Sequence, residues 1–264
     1  MDGVDALRSH LADAAVLIDF DGTLAPIVDD PTRAGPGPGA VEVLADLVAG
    51  AAVVGVVSGR PVEVLARHLP VERLHLAGLY GLERMELGVA VNPPGSDRWV
   101  VPIAAAAADL VARLPDGATV EAKRLSLTVH FRRRPELGPE VLAVCQDVAA
   151  AHGLTVRPAR KAVEVHPSEA PDKGVVVEGL AAGCTAACFV GDDVGDLPAF
   201  DALDRLSDEG LDTVRVAVES EESVPELLAR ADVVVAGSPG AIGWLRSLLE
   251  PQWRLGAASA SRPR

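Results

Sequence analysis

The sequence predicts an α/β domain with a mostly parallel sheet wound in both directions and a smaller α/β unit inserted into it. Three observations carry this expectation. The apolar runs are continuous rather than alternating, helical patterns lie between them, and the runs end in Asp, Ser or Gly. Strands apolar on both faces belong inside a parallel sheet, and the intervening helices are what covers it. The expected class is a doubly wound, Rossmann-like core.

In chain order the predicted core strands are "AAVLIDF" (14–20), "AAVVGVVSG" (51–59), "RLHLAGLYG" (73–81), "AACFVGDD" (186–193), "DTVRVAV" (212–218) and "DVVVAG" (232–237). Helical patterns at "AVEVLADLV" (40–48) and "PVEVLARHL" (61–69) separate the first three, and "GPGPG" (35–39) reads as a loop. Ligands bind such sheets at the carboxyl ends of the strands. Those ends carry Asp19, Ser58, Tyr80 and Asp192.

The middle of the chain has another rhythm. Residues 102–114 and 136–153 read as helices, each followed by strand-like pieces. In "LSLTVHFR" (125–132), Leu125, Leu127, Val129 and Phe131 take one face, while Ser126, Thr128, His130 and Arg132 take the other. Such alternation predicts a sheet with one face on helices and a polar face left open. Glu121 and Lys123 share a parity, as do Glu164 and His166. The expected division is a core of 1–98 and 169–252, a cap of 99–168, and a disordered tail at 253–264. Solvation accounts for a polar cap face, and so does hydrogen bonding to a sugar.

Aromatic residues are only 3% of the 264, so the core must be built from Val, Leu and Ala. No apolar run reaches the ~20 residues of a membrane span, and the first residues lack the pattern of a signal peptide. Cys145, Cys184 and Cys188 suggest neither a disulfide framework nor a zinc site. A cytoplasmic location is expected. A net charge of −14 argues against nucleic acid as a partner. The same charge means that local cations or a metal must draw in any anionic substrate.

The chemistry concentrates in "LIDFDGT", where an apolar strand runs into Asp19 and Asp21, two like charges that call for a cation. Further along come "SGR" (58–60), Lys173 in "DKG" and "GDD" (191–193). Taken singly, Ser58-Gly59 also reads as a capped strand-to-helix turn, Lys173 as a solvated lysine, and Asp192-Asp193 as a strand-terminal turn. Together and in this order, the four elements resemble the signature of the haloacid dehalogenase-like superfamily of phosphotransferases. The resemblance implies Asp19 as nucleophile forming an aspartyl-phosphate and Asp21 as general acid and base. It implies Mg²⁺ on the carboxylates of Asp19 and Asp192 and the carbonyl of Asp21, oriented by Asp193 and Asp196. Ser58 and Lys173 would hold phosphate oxygens.

Within that superfamily, "VEAKRLSLTVHFRR", "RKAVEVHP", "DFDGTLAPIV" and "GLYGLE" resemble the trehalose-6-phosphate phosphatases over about residues 14–250. This implies that Glu121, Lys123 and Glu164 bind hydroxyls of the distal glucose, with Arg60, His130 and Arg132 in matching positions. The chain departs from the family pattern at Tyr80 (commonly His), at His166 (commonly Arg) and at Gly195 and Leu197 (commonly a "TDE"-like run). The expected activity is Mg²⁺-dependent hydrolysis of trehalose 6-phosphate, linked to a trehalose-phosphate synthase. Its rivals are a phosphatase for sucrose phosphate or a mannosyl phosphate, a non-catalytic sugar-phosphate binding module and a phosphomutase.

Overall fold

The computed structural model describes residues 3–28, 34–86, 89–159, 161–220 and 223–250; the predicted tail at 253–264 lies outside them. The chain runs through α1 (Gly3–Ser9), β1 (Ala14–Ile18), α2 (Ala40–Gly50), β2 (Val53–Val57), α3 (Val62–His68) and β3 (His75–Gly78). A hairpin of β4 (Glu83–Glu86) and β5 (Val89–Val91) follows. The inserted segment comprises α4 (Val100–Arg113), β6 (Thr119–Ala122), β7 (Leu127–His130), α5 (Gly138–Ala151), β8 (Leu154–Ala159) and β9 (Ala162–Pro167). The chain returns to the core with α6 (Lys173–Ala181), β10 (Ala186–Gly191), α7 (Leu197–Asp208) and β11 (Asp212–Glu219). It ends in α8 (Pro225–Arg230), β12 (Val233–Ala236) and α9 (Gly237–Ser247).

The core sheet has the order β12-β11-β10-β1-β2-β3-β4-β5, parallel through β3 and antiparallel at the β4–β5 edge. That hairpin was not predicted, because "ERME" and "VAV" carry neither a long apolar run nor a clean alternation. β1 shows why the central strands read as unbroken apolar runs. Val16 and Ile18 pack into one cluster with Leu44, Leu47 and Leu245, while Ala15 and Leu17 pack on the opposite face with Phe189 and Phe200. Each such fully buried Val, Leu, Ile or Phe side chain contributes about 1.5–3 kcal/mol.

The strand order reverses between β1 and β10, and this reversal positions the site. Ile18 lies beside Val190 in the β1–β10 register. The first residues past the two strands, Asp19 and Asp192, are thereby brought to the same crevice at the carboxyl edge of the sheet.

The cap sheet has the order β6-β7-β9-β8 and is antiparallel throughout. Leu127, Val129, Val163 and Val165 face Ile103, Leu110, Val141 and Val148 of the two cap helices, as the alternation predicts. Two expectations need correction. Leu125 leaves the cap core and packs with Leu79 and Leu82, because the backbone turns at Arg124, whose φ is +60°. The polar face is also not left open. Ser126, Thr128, Glu164 and His166 are all buried, and the Lys123 ammonium on this side of the cap donates to the carbonyl of Gly59 in the core at 3.0 Å.

Candidate active site

Asp19 directly follows β1 and is 5% exposed, anchored by its own N–H to the carbonyl of Val190. Lys173, the first residue of α6, reaches it from across the crevice. That helix starts where it does because the Asp172 side chain accepts from the N–H of Val175. The Lys173 ammonium, 3% exposed, donates to Oδ1 of Asp19 and to Oδ1 of Asp196, each at 2.6 Å. Burial opposes its charge, yet Asp19 and Asp196 together hold Lys173 well above the ordinary lysine range. Burial pushes the Asp19 carboxyl well up, and Lys173 pulls against it.

Asp196 is fully buried, and its acceptor capacity is directed at this chain. Oδ1 takes the Lys173 bond, and Oδ2 accepts from the N–H groups of Asp192 and Asp193 at 2.8 and 3.0 Å. The Asp193 carboxylate in turn accepts from Gly195, closing a reciprocal cap on the 194–196 turn. Asp193 and Asp196 thus orient the loop that presents Asp192, whose Oδ1 accepts from the Thr23 hydroxyl at 3.4 Å. Sequence reasoning assigned Thr23 no role, although it stands inside the "DFDGT" motif.

Carboxylate oxygens of Asp19, Asp192 and Asp196 lie within 4.8 Å of one another. An all-oxygen set suits a hard divalent ion. The surroundings fit it too, because Gly22, at φ +88°, leaves room that a side chain would fill. A Cβ there would sit 2.0 Å from Oδ2 of Asp192. Since Asp196 is engaged by Lys173 and two backbone donors, Asp19 and Asp192 are the side chains suited to hold the ion.

The Asp21 carboxylate does not join that cluster. It is half-exposed and held by Arg60, whose Nε and Nη2 each donate at 2.7 Å to a different oxygen. Arg60 also lies over the Phe20 ring, 5.2 Å from its centroid. Ser58 directly follows β2 and is buried; its hydroxyl oxygen accepts from the Arg60 N–H, which fixes the start of the "SGR" turn. Gly59 is required beside it, since a Cβ would meet the Tyr80 hydroxyl at 2.8 Å.

From the cap, Lys123 stands between two carboxylates at 3.9 Å, Glu121 and Glu164. The bond from His130 holds the Glu121 carboxyl below its usual range, and its Oε2 lies 2.8 Å from His130 Nε2. Glu164 is pushed up by burial against the pull of Lys123 and Arg157, and takes a hydrogen bond from Tyr80. Arg132 lies past the end of β7 in the following turn and is partly buried. Arg157 is, with Thr23, a residue that sequence reasoning missed. Its guanidinium stands 4.6 Å from the centroid of the Tyr80 ring, and it is paired in register with Glu164. Only its strand parity relative to Glu164 offered a signal. Tyr80 has a φ of +58°, which is uncommon outside glycine, and its hydroxyl is pushed well up by burial.

The family model for trehalose-phosphatase matches residues 17–232, the span that contains all of these groups. The chain belongs to the trehalose-phosphatase family. Trehalose-phosphatases are also its named relatives. A trehalose-phosphate phosphatase of Mycobacterium avium is 34% identical over 214 residues, covering 76% of this chain and 54% of the relative. An uncharacterized glycosyl hydrolase of Mycobacterium tuberculosis is 35% identical over 208 residues, covering 72% of this chain but 15% of that protein. The chain thus spans about half the length of the curated trehalose-phosphate phosphatases it matches. Among solved structures, the C-terminal domain of Candida albicans trehalose-6-phosphate phosphatase aligns with a TM-score of 0.77 at 22% identity. That match covers 93% of this chain and 95% of that one. A trehalose-6-phosphate phosphatase related protein aligns at 0.72 and 21% identity, covering 93% and 99%. At those identities the two structures speak to the fold alone, a mixed-sheet core with an inserted cap.

Proposed function

We propose that this chain is a Mg²⁺-dependent phosphatase that converts trehalose 6-phosphate to trehalose and phosphate through an aspartyl-phosphate on Asp19. The observation that carries the reading is the Asp19–Lys173–Asp196 network with Asp192 beside it, lying beneath a cap face that carries Glu121, Lys123 and Glu164. Mg²⁺ on the carboxylates of Asp19 and Asp192 and the carbonyl of Asp21 would neutralise repulsion among the acids and charge on the phosphoryl group.

A carboxylate oxygen of Asp19 attacks phosphorus, the bond from phosphorus to the sugar oxygen breaks, and Asp21 gives its proton to the departing alkoxide. Asp21 then takes a proton from water. The resulting hydroxide attacks the phosphorylated Asp19 and phosphate leaves, which restores both acids. Both oxygens of Asp21 now accept from Arg60, so that pair must open for either proton transfer. Lys173 and Ser58 hold equatorial phosphate oxygens, where charge collects in a loose transition state.

Residues 99–168 act as the cap in this reading, with Glu121, Lys123 and Glu164 holding the distal glucose and Arg60, His130 and Arg132 lining the approach. An unpaired carboxylate or ammonium facing the wrong sugar is costly, and that cost supplies selectivity. A cytoplasmic reaction fed by a trehalose-phosphate synthase belongs to the same proposal. Among the described residues no helix is long and apolar enough to cross a membrane.

The test is a panel of phosphosugars assayed for phosphate release with Mg²⁺. Preference for trehalose 6-phosphate is expected. Comparable rates on sucrose, mannosyl and glucose phosphates would defeat the trehalose assignment, no release from any ester would revive the binding-module reading, and an isomerised sugar phosphate would point to a mutase.

A further inference from the structure

His166 sits on β9 two residues from Glu164, on the opposite face of that strand from Val163 and Val165, which pack into the cap core. It therefore shares the face that Tyr80 and Gly59 of the catalytic core cover. The residue is 7% exposed. Its Nδ1 lies 2.9 Å from the carbonyl of Pro167, and a carbonyl only accepts, so Nδ1 carries the proton. Nε2 is then a bare lone pair. That atom is buried and has no hydrogen-bond partner among the described residues.

A buried acceptor left unpaired costs roughly 1–3 kcal/mol, so its retention on this face asks what donor it meets. The surroundings narrow the chemistry. Burial disfavours a positive charge at His166, and Arg157, on the strand paired with β9, acts in the same direction, together holding its pKa down to about 4. The imidazole therefore stays a neutral acceptor through the physiological range. An anionic ligand group would meet the buried Glu164 carboxylate on the same face and a lone pair that repels it. A cationic one would meet Arg157. A neutral hydroxyl donor satisfies all three.

We infer that His166 is a specificity-determining residue whose Nε2 accepts a hydrogen bond from a hydroxyl on the sugar portion of the phosphosugar. The inference rests on a phosphosugar being the substrate and goes beyond the choice of sugar. The positive charge on this face is supplied by Arg157 one strand away, so His166 is left to read a hydroxyl as an acceptor.

The experiment compares wild type, His166→Leu and His166→Gln on trehalose 6-phosphate and on p-nitrophenyl phosphate, an ester without hydroxyls, with thermal melting as a control for folding. His166→Leu should raise KM for trehalose 6-phosphate roughly tenfold with kcat nearly unchanged, and leave kcat/KM for the aryl ester within about twofold. His166→Gln, whose amide oxygen restores an acceptor, should recover much of the loss. Equal losses on both substrates, or an unchanged KM for the sugar ester in a folded His166→Leu protein, would overturn the inference. If wild type prefers another phosphosugar, the trehalose assignment falls and the same comparison with that ester decides the role of His166. A wild-type protein that hydrolyses no phosphosugar of the panel would overturn both.

Discussion

Asp19 works only because of what surrounds it. A carboxylate buried to 5% exposure resists ionisation, and the Lys173 ammonium at 2.6 Å is the counter-charge on this chain that keeps it available. Lys173 is held from both sides, since Asp196 binds it at the same distance. Asp19→Asn removes the proposed nucleophile while leaving a near-isosteric side chain beside Lys173. It should lower kcat by roughly four orders of magnitude and leave the fold intact, as steady-state phosphate release and circular dichroism would check. Undiminished release in that variant would mean that another group attacks phosphorus. At this scale the clustering of Asp19, Lys173, Asp192 and Asp196 was legible from short motifs whose order resembles a known signature. The roles of these residues and of Asp21, Ser58 and Asp193 came from that resemblance and not from any one residue type. Arg157 and Thr23 were not legible, because a lone arginine on a strand and a threonine after a glycine acquire meaning only from the neighbours that folding brings.

Elements translate those residues into geometry, and the turn after β1 is the most constrained. Gly22 adopts φ +88° with its Cα hydrogens facing Asp192. Gly22→Ala would strain the backbone and drive a methyl group into the Asp192 carboxylate, the side chain suited to the ion. A stability loss of about 1–3 kcal/mol is expected. Weakened binding of Mg²⁺ should accompany it, measurable by isothermal titration without any assay of turnover. Wild-type metal affinity in a folded Gly22→Ala protein would contradict the placement of the ion at Asp192. The buried strands were readable as elements because burial on both faces forces unbroken apolar runs. The β4–β5 hairpin was not, since an edge hairpin is held largely by backbone pairing and leaves little trace in side-chain pattern. Parity also misjudged Leu125, where a single left-handed residue, Arg124, takes the chain out of the strand's alternation.

For the whole molecule, the joining of cap to core is the decisive feature. It buries a face that carries Lys123, Glu164 and His166, and pH should report it. The His166 pKa is held to about 4 against an ordinary value of 6.5. Between those values the unfolded chain binds a proton that the folded chain refuses. Stability is therefore fully present above about pH 6.5 and is lost as pH falls toward 4, by on the order of 3 kcal/mol from this group. Thermal melts across that range should show Tm falling more steeply in wild type than in His166→Leu. Parallel curves would mean that the imidazole is not sealed from water by the cap–core junction.

The sequence by itself determined the local chemistry and the layers. Motifs at strand ends and at the start of α6 singled out the acids and the lysine, and apolar continuity named the sheet, because both depend on residues close together in the chain. Tertiary structure decided what those residues face. It set Asp192 beside Asp19 through the β1–β10 register and covered a polar cap face that alternation alone read as open. It also clamped Asp21 with Arg60 and buried the Nε2 lone pair of His166 without a hydrogen-bond partner among the described residues. Each of these is a contact between distant segments, and no periodicity along a single strand encodes which surface will close over it.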